Sequence, residues 1–158
     1  MIGQARLKPE LARFWPSRGP QWDGLGLAGG APVIVEAKAH IAEIFSSPSH
    51  ASAASAAQIS NAFAEVQASL GIFPTLDWKT RFYQLANRIA HLWWFHQQGV
   101  EAHLLLVSFI GDKDMNCPSS PSTWESAFRS ANDALGLPSE HALSKFIHHV
   151  YPDVTLLV

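Results

Sequence analysis

Trp22-Asp23-Gly24 and Val33-Ile34-Val35-Glu36-Ala37-Lys38, with twelve residues between Asp23 and Glu36, are the stretches that decide how this chain folds. Val33, Ile34 and Val35 are β-branched and favour a buried strand, because such side chains pack well on a pleated surface. Alternate side chains of a strand share a face, so Glu36 and Lys38 point the same way. Residues 21–28 read as a partner strand joined through a loose Gly29-Gly30 turn, which brings Asp23 back to the sheet end that carries Glu36. Two carboxylates and an ammonium converging there are groups that can hold a hard divalent cation and a nucleophilic water. A charged pair at the end of a buried strand calls for a reason beyond solvation.

Outward from this hairpin, residues 7–14 are expected as a short helix stopped before Pro16, and 16–20 as irregular chain. A Ser/Ala-rich loop at 46–57 leads into a helix near 51–70, where Ile59, Phe63, Val66 and Leu70 recur at helical spacing and Gly71 supplies the stop. After Pro74 a second helix, capped by Thr75 or Asp77, is expected through residue 98. Phe82, Leu85, Ile89, Leu92, Trp93 and Phe95 form its buried stripe, and Gly99 ends it. Val100 to Ile110 reads as a strand buried on both faces, as a central parallel strand between helices would be. Strand, helical crossover and strand make a right-handed β-α-β unit. The rest gives a Pro/Ser-rich loop at 116–122, a helix near 123–135 with Thr123 as cap and Gly136 as stop, and a Pro-bounded segment to Val158.

Composition narrows the function classes. The 158 residues are 47% hydrophobic, which suits one domain over 1–158 with a substantial core. A net charge of −2 gives no general cationic surface of the kind that coats DNA without specificity. Cys117 is the only cysteine, so neither an intramolecular disulfide nor a multi-cysteine zinc site can form, and a reducing cytoplasm is the expected compartment. No apolar h-region opens the chain and no apolar run reaches membrane-spanning length, so neither a signal peptide nor a membrane partner is expected. The eight histidines lack zinc spacing, since His91 and His96 fall on different helix faces and His148 and His149 point apart. Neither a nucleophile elbow nor a P-loop is present.

The order of an acid in a Gly-rich turn, twelve residues, Glu36-Ala37-Lys38, a helix and a buried strand resembles the PD-(D/E)XK, or restriction-endonuclease-like, nuclease superfamily. The resemblance spans roughly residues 7–110, with Trp22 standing where the named pattern has proline. It implies an α-β-β-β-α-β core in a three-layer α/β/α fold with a mixed central sheet. It further implies Asp23 and Glu36 as ligands of Mg²⁺ or Mn²⁺, Lys38 as the catalytic lysine, and DNA as the substrate of metal-dependent phosphodiester hydrolysis. Some members place a Gln from the crossover helix beside the metal, which adds Gln84 to the catalytic set.

Gln84, Asn87, Arg88 and His91 share a helix face at i, i+3, i+4 and i+7, and there Arg88 is a candidate phosphate contact. His40 continues the Glu36 and Lys38 face and is a second candidate nucleic-acid contact. Glu10 on the leading helix is a candidate extra acid, although the helix dipole explains it equally well. Trp22, beside the first acid, is a candidate base-stacking residue. The rival expectation is the same fold kept as a binding or structural module without catalysis, and a homodimer is compatible with either.

Overall fold

In the computed structural model, which describes residues 5–17, 19, 21–46 and 51–156, the hairpin closes at Gly29-Gly30. Both glycines have positive φ, 58° and 91°. A type I′ two-residue hairpin turn needs that conformation at both central positions, and glycine adopts it at no steric cost. The principal elements are α1 (Lys8–Phe14), β1 (Gly24–Ala28), β2 (Ala31–Lys38), α2 (Ala53–Leu70), α3 (Tyr83–Gln97), β3 (His103–Ser108), α4 (Pro121–Leu135) and β4 (Ile147–Val150). The sheet order is β1-β2-β3-β4, with β1 antiparallel to β2 and the other two pairs parallel. The fold is therefore mixed α/β on a mixed sheet. No helix among the described residues is long and apolar enough to cross a membrane.

The two faces of this sheet differ. Pro32, Ile34, Glu36 and Lys38 of β2 and Leu104, Leu106 and Ser108 of β3 are buried, while their alternates are only half-buried. α3 packs on β2 and β3, α2 packs on α3, and α1 packs on α2. α4 lies on this same side: its Phe128 ring sits 4.8 Å from His149. His149 is the register partner of Leu106, which in turn pairs with Glu36. β3 was expected to be buried on both faces, and it is covered on one. A second difference concerns order, since two strands rather than three separate α1 from the helices among the described residues.

Local chemistry explains the element boundaries. Ser52 caps α2 by accepting the Ser55 N–H at 3.3 Å, and Gly71 ends it with φ 65°. The second helix starts at Tyr83, not near Thr75 or Asp77. Asp77 Oδ1 accepts the Lys79 N–H at 2.9 Å and the Asp77 carbonyl accepts the Thr80 N–H at 3.0 Å, so its polar groups close a turn instead of capping a helix. Trp78, buried beside them, donates its indole N–H to the Leu135 carbonyl at 2.9 Å and ties this connection to the end of α4. α4 begins at Pro121 rather than after Thr123, because proline lacks the donor that a first helical turn leaves unused. β4 has no counterpart in the sequence reading. It is a short edge strand whose His148, His149 and Val150 are exposed, so no apolar pattern announces it.

Candidate active site

Strand register assembles the acids. Extending the β1–β2 pairing one step beyond Gly24–Val35 sets Asp23 opposite Glu36. The Ala37 N–H then donates to Asp23 Oδ2 at 2.8 Å, which fixes this exposed carboxylate against the end of β2. Glu36 and Lys38 are 3% and 9% exposed, on the helix-covered face.

Burial of those charges is matched by partners from α3. Lys38 Nζ pairs with Glu36 Oε1 and donates to Gln84 Oε1 at 2.9 Å. Arg88 Nε and Nη2 reach the other oxygen, Glu36 Oε2, at 2.6 and 2.5 Å. Nη2 also donates to the Gln21 carbonyl at 2.7 Å, and Nη1 donates to Asn87 Oδ1 at 3.1 Å. Glu36 thus carries a cation on each oxygen, and a buried ion triad runs from Lys38 through Glu36 to Arg88. Removing Glu36 would leave two buried cations without a counter-charge, whereas removing either cation leaves one ion pair intact.

Asp23, Glu36, Lys38, Gln84 and Arg88 line one cleft of about 560 Å³, which also takes in Gln21, Ala37, Glu43, Phe45 and Ser46. The structure therefore brings together the residues nominated as catalytic. It does not do so for the nominated nucleic-acid contacts in the way their residue types suggest. Arg88 is 3% exposed with its donors committed to Glu36, Gln21 and Asn87, so it is a support for Glu36 and not an open phosphate contact. His40 follows the end of β2, pairs with Glu43 Oε1 at 3.2 Å and is not part of the cleft lining. Glu10 is occupied at the surface by Arg13 at 2.8 Å. Trp22 is half-buried and packed against the core, with its ring at 5.6 Å from His91 in a T-shaped contact.

Sequence reasoning missed three groups at the mouth. Glu43 Oε2 accepts the Ala39 N–H at 2.8 Å, which holds its carboxylate over the cleft. Phe45, 43% exposed, lines the opening, and the Arg81 guanidinium lies 4.1 Å over its ring. Ser46 Oγ accepts the Gln84 N–H at 2.9 Å and so links the mouth to the first turn of α3. No periodicity marks them, because the 3-10 turn Ile41–Ile44 folds the chain back just after β2.

One helical turn beyond Arg88, His91 is fully buried among Phe14, Trp15 and Trp22. Burial holds its pKa down to about 4, with the nearby Arg88 charge adding to the effect. The imidazole is neutral at pH 7. Its Nδ1 lies 2.9 Å from the Asn87 carbonyl and must carry the proton there, which makes Nε2 an acceptor. Neither His91 Nε2 nor the Trp22 indole N–H has a hydrogen-bond partner among the described residues.

The donor chemistry suits a hard cation. Asp23 and Glu36 offer carboxylate oxygens, and Mg²⁺ is ordinarily held by one or two carboxylates plus waters and substrate oxygens. Among the described residues no group of three or more His, Cys, Asp or Glu is placed to hold a metal ion. At Glu36 a cation has to compete with Lys38 and Arg88 for the carboxylate, and Asp23 is the less encumbered ligand. Comparison with protein-family models, with curated proteins and with solved structures returned no match.

Proposed function

We propose that this chain is a metal-dependent nuclease of PD-(D/E)XK type that hydrolyses phosphodiester bonds of DNA with Mg²⁺ or Mn²⁺. The observation that carries the reading is the convergence of Asp23, Glu36, Lys38 and Gln84 on one cleft from three different segments. Sequence proximity accounts for Glu36 and Lys38, but not for the other two. On this reading the core is restriction-endonuclease-like around β1, β2, α3 and β3, with its second sheet face free of helix.

Each side chain then has a task. Asp23 and Glu36 would hold the cation, which supplies charge neutralisation for the attacked phosphate and lowers the pKa of bound water. Lys38 uses two of its three ammonium hydrogens on Glu36 and Gln84. The third can donate to a phosphate oxygen or to the attacking water, and stabilises negative charge as it develops. Gln84 holds the ammonium in that orientation. Arg88 pairs with Glu36 Oε2 and holds the carboxylate at the cleft. DNA contact falls to the rim, where Arg81 and Phe45 offer an exposed cation stacked on an exposed ring.

The competing reading, a module of the same fold without catalysis, is favoured by one observation: both Glu36 oxygens are already paired with cations. A nicking assay on plasmid and branched DNA separates the two. Wild type should cleave with Mg²⁺ or Mn²⁺ and not with EDTA, and Lys38→Ala should lose activity by about 10²–10⁴-fold, the range for a positioned proton-transfer or orienting group. Equal cleavage by wild type and Lys38→Ala would place the activity elsewhere, and no cleavage by wild type on any substrate would favour the module.

A further inference from the structure

The mouth of the cleft sets an exposed ring beside an exposed cation. Phe45 follows the 3-10 turn Ile41–Ile44 and lines the cleft, with the Arg81 guanidinium 4.1 Å over its ring. Phe82 is buried, and its ring lies 5.5 Å from that of Phe45. Two hydrogen bonds strap this platform to the start of α3. The Ser46 N–H donates to the Arg81 carbonyl at 2.8 Å, and Ser46 Oγ accepts the Gln84 N–H at 2.9 Å. Gln84 in turn accepts from Lys38. The ring thus has a fixed place relative to the lysine, and a base stacking on it has no platform to order first.

Charge around this platform is sparse. Among the described residues lining the cleft, Asp23, Glu36 and Glu43 outnumber Lys38 and Arg88, and both cations are committed to Glu36. Arg81 is exposed, and its guanidinium makes no hydrogen bond or ion pair among the described residues. Over the whole chain, 11 Lys and Arg stand against 13 Asp and Glu.

We propose that the cleft takes an unpaired nucleotide, with its base stacked on Phe45 and its phosphate reached by Arg81. The inference rests on the nuclease reading and narrows its substrate to single-stranded DNA, free or as the unpaired end of a branched molecule. Binding along a duplex draws its affinity from many Lys and Arg on the phosphates of both strands, and this cleft does not offer them. Bases inside a duplex are also stacked on each other, so Phe45 has no face to meet there. A single strand exposes its base faces and binds through aromatic platforms with a few cations, which is the combination found at this mouth. The cleft volume of about 560 Å³ is that of a small-molecule pocket and suits a nucleotide drawn out of a helix.

Fluorescence anisotropy tests this with a labelled single-stranded DNA oligonucleotide and the blunt duplex of the same sequence. The full chain is used with Ca²⁺, another oxygen-seeking cation, in place of Mg²⁺. Wild type should bind the single strand at least about tenfold more tightly than the duplex. Phe45→Leu, which keeps apolar bulk but removes the π-face, should lose about tenfold in single-strand affinity, while Phe45→Tyr should bind like wild type. Arg81→Ala should weaken binding and lower the slope of log affinity against log salt by about 0.7. Circular dichroism and melting temperature check the fold of each variant, and the wild-type preference decides the matter where a variant does not fold. A duplex bound as tightly as the single strand, no binding of either, or a folded Phe45→Leu protein that binds like wild type overturns the proposal. Cleavage with Mg²⁺ is scored separately. Phe45-dependent binding of the single strand without cleavage would sink the nuclease reading and keep the binding site, whereas cleavage with no preference for single strands would sink this inference and keep the nuclease.

Discussion

Arg88 shows how a residue type can mislead when its surroundings are unknown. An arginine on a helix face with Gln84 and Asn87 invites a surface role, yet here it is buried with its guanidinium on Glu36. Truncating one member of a buried pair strands the other, typically at about 3–5 kcal/mol. Arg88→Ala leaves Glu36 Oε2, the Gln21 carbonyl and Asn87 Oδ1 without their donor and should lower unfolding free energy by that order in urea denaturation, whereas Lys38→Ala should cost less, because it frees only Glu36 Oε1 and Gln84 Oε1 beside the cleft. Arg88→Lys should restore only part of the loss, since an ammonium cannot reproduce the bonds to Glu36, Gln21 and Asn87 together. A finding that Arg88→Ala is as stable as wild type would remove Arg88 from its supporting role. Asp23, Glu36 and Lys38 were legible from spacing alone because strand periodicity forces them to one sheet end. The commitment of Arg88 was not, because helical periodicity shows which residues share a face but not what that face meets.

At the scale of elements, α3 carries the least readable chemistry. Residues 85–95 are all buried, polar Asn87, Arg88 and His91 included, because the helix is wedged between the sheet and the outer helices. A single apolar stripe was visible in the sequence; the second buried face is polar and gave no hydrophobic signal. His91 makes this packing sensitive to pH. Its folded pKa of about 4 lies below the unfolded value of 6.5, so the unfolded chain binds a proton the folded chain refuses. The neutral-histidine contribution is fully present above pH 6.5 and is lost as pH falls from there toward 4. At about 1.36 kcal/mol per pKa unit this amounts to roughly 3 kcal/mol. Urea titrations across that window should show the loss in wild type, and His91→Leu should flatten it; an unchanged profile in the variant would assign the acid sensitivity elsewhere. The β1–β2 hairpin, α2 and β3 followed from glycines and apolar spacing. The start of α3 and the existence of β4 did not, since a tryptophan-anchored turn and an exposed edge strand carry no periodic signature.

For the whole molecule, the class of fold was readable and the layering was not. Val33-Ile34-Val35 and Leu104-Leu105-Leu106-Val107 are apolar on both faces, and apolar content alone does not tell which face the helices cover. The side on which the helices pack emerges only from the register that aligns Glu36, Leu106 and His149. That side holds the cleft, and within it Glu36 is shared between Lys38 and Arg88, while among the described residues Asp23 is held through the Ala37 N–H. The central claim, that these acids hold a divalent cation beside Lys38, is tested most directly by calorimetric titration of Mn²⁺ into wild type, Asp23→Ala and Lys38→Ala. Wild type should bind the cation and Asp23→Ala should lose that binding, because a single carboxylate already shared with two cations is a poor ligand set. Lys38→Ala should bind at least as tightly as wild type, because removing the ammonium frees Glu36 Oε1 for the metal. Absence of binding in wild type, or equal binding by Asp23→Ala, would contradict the account.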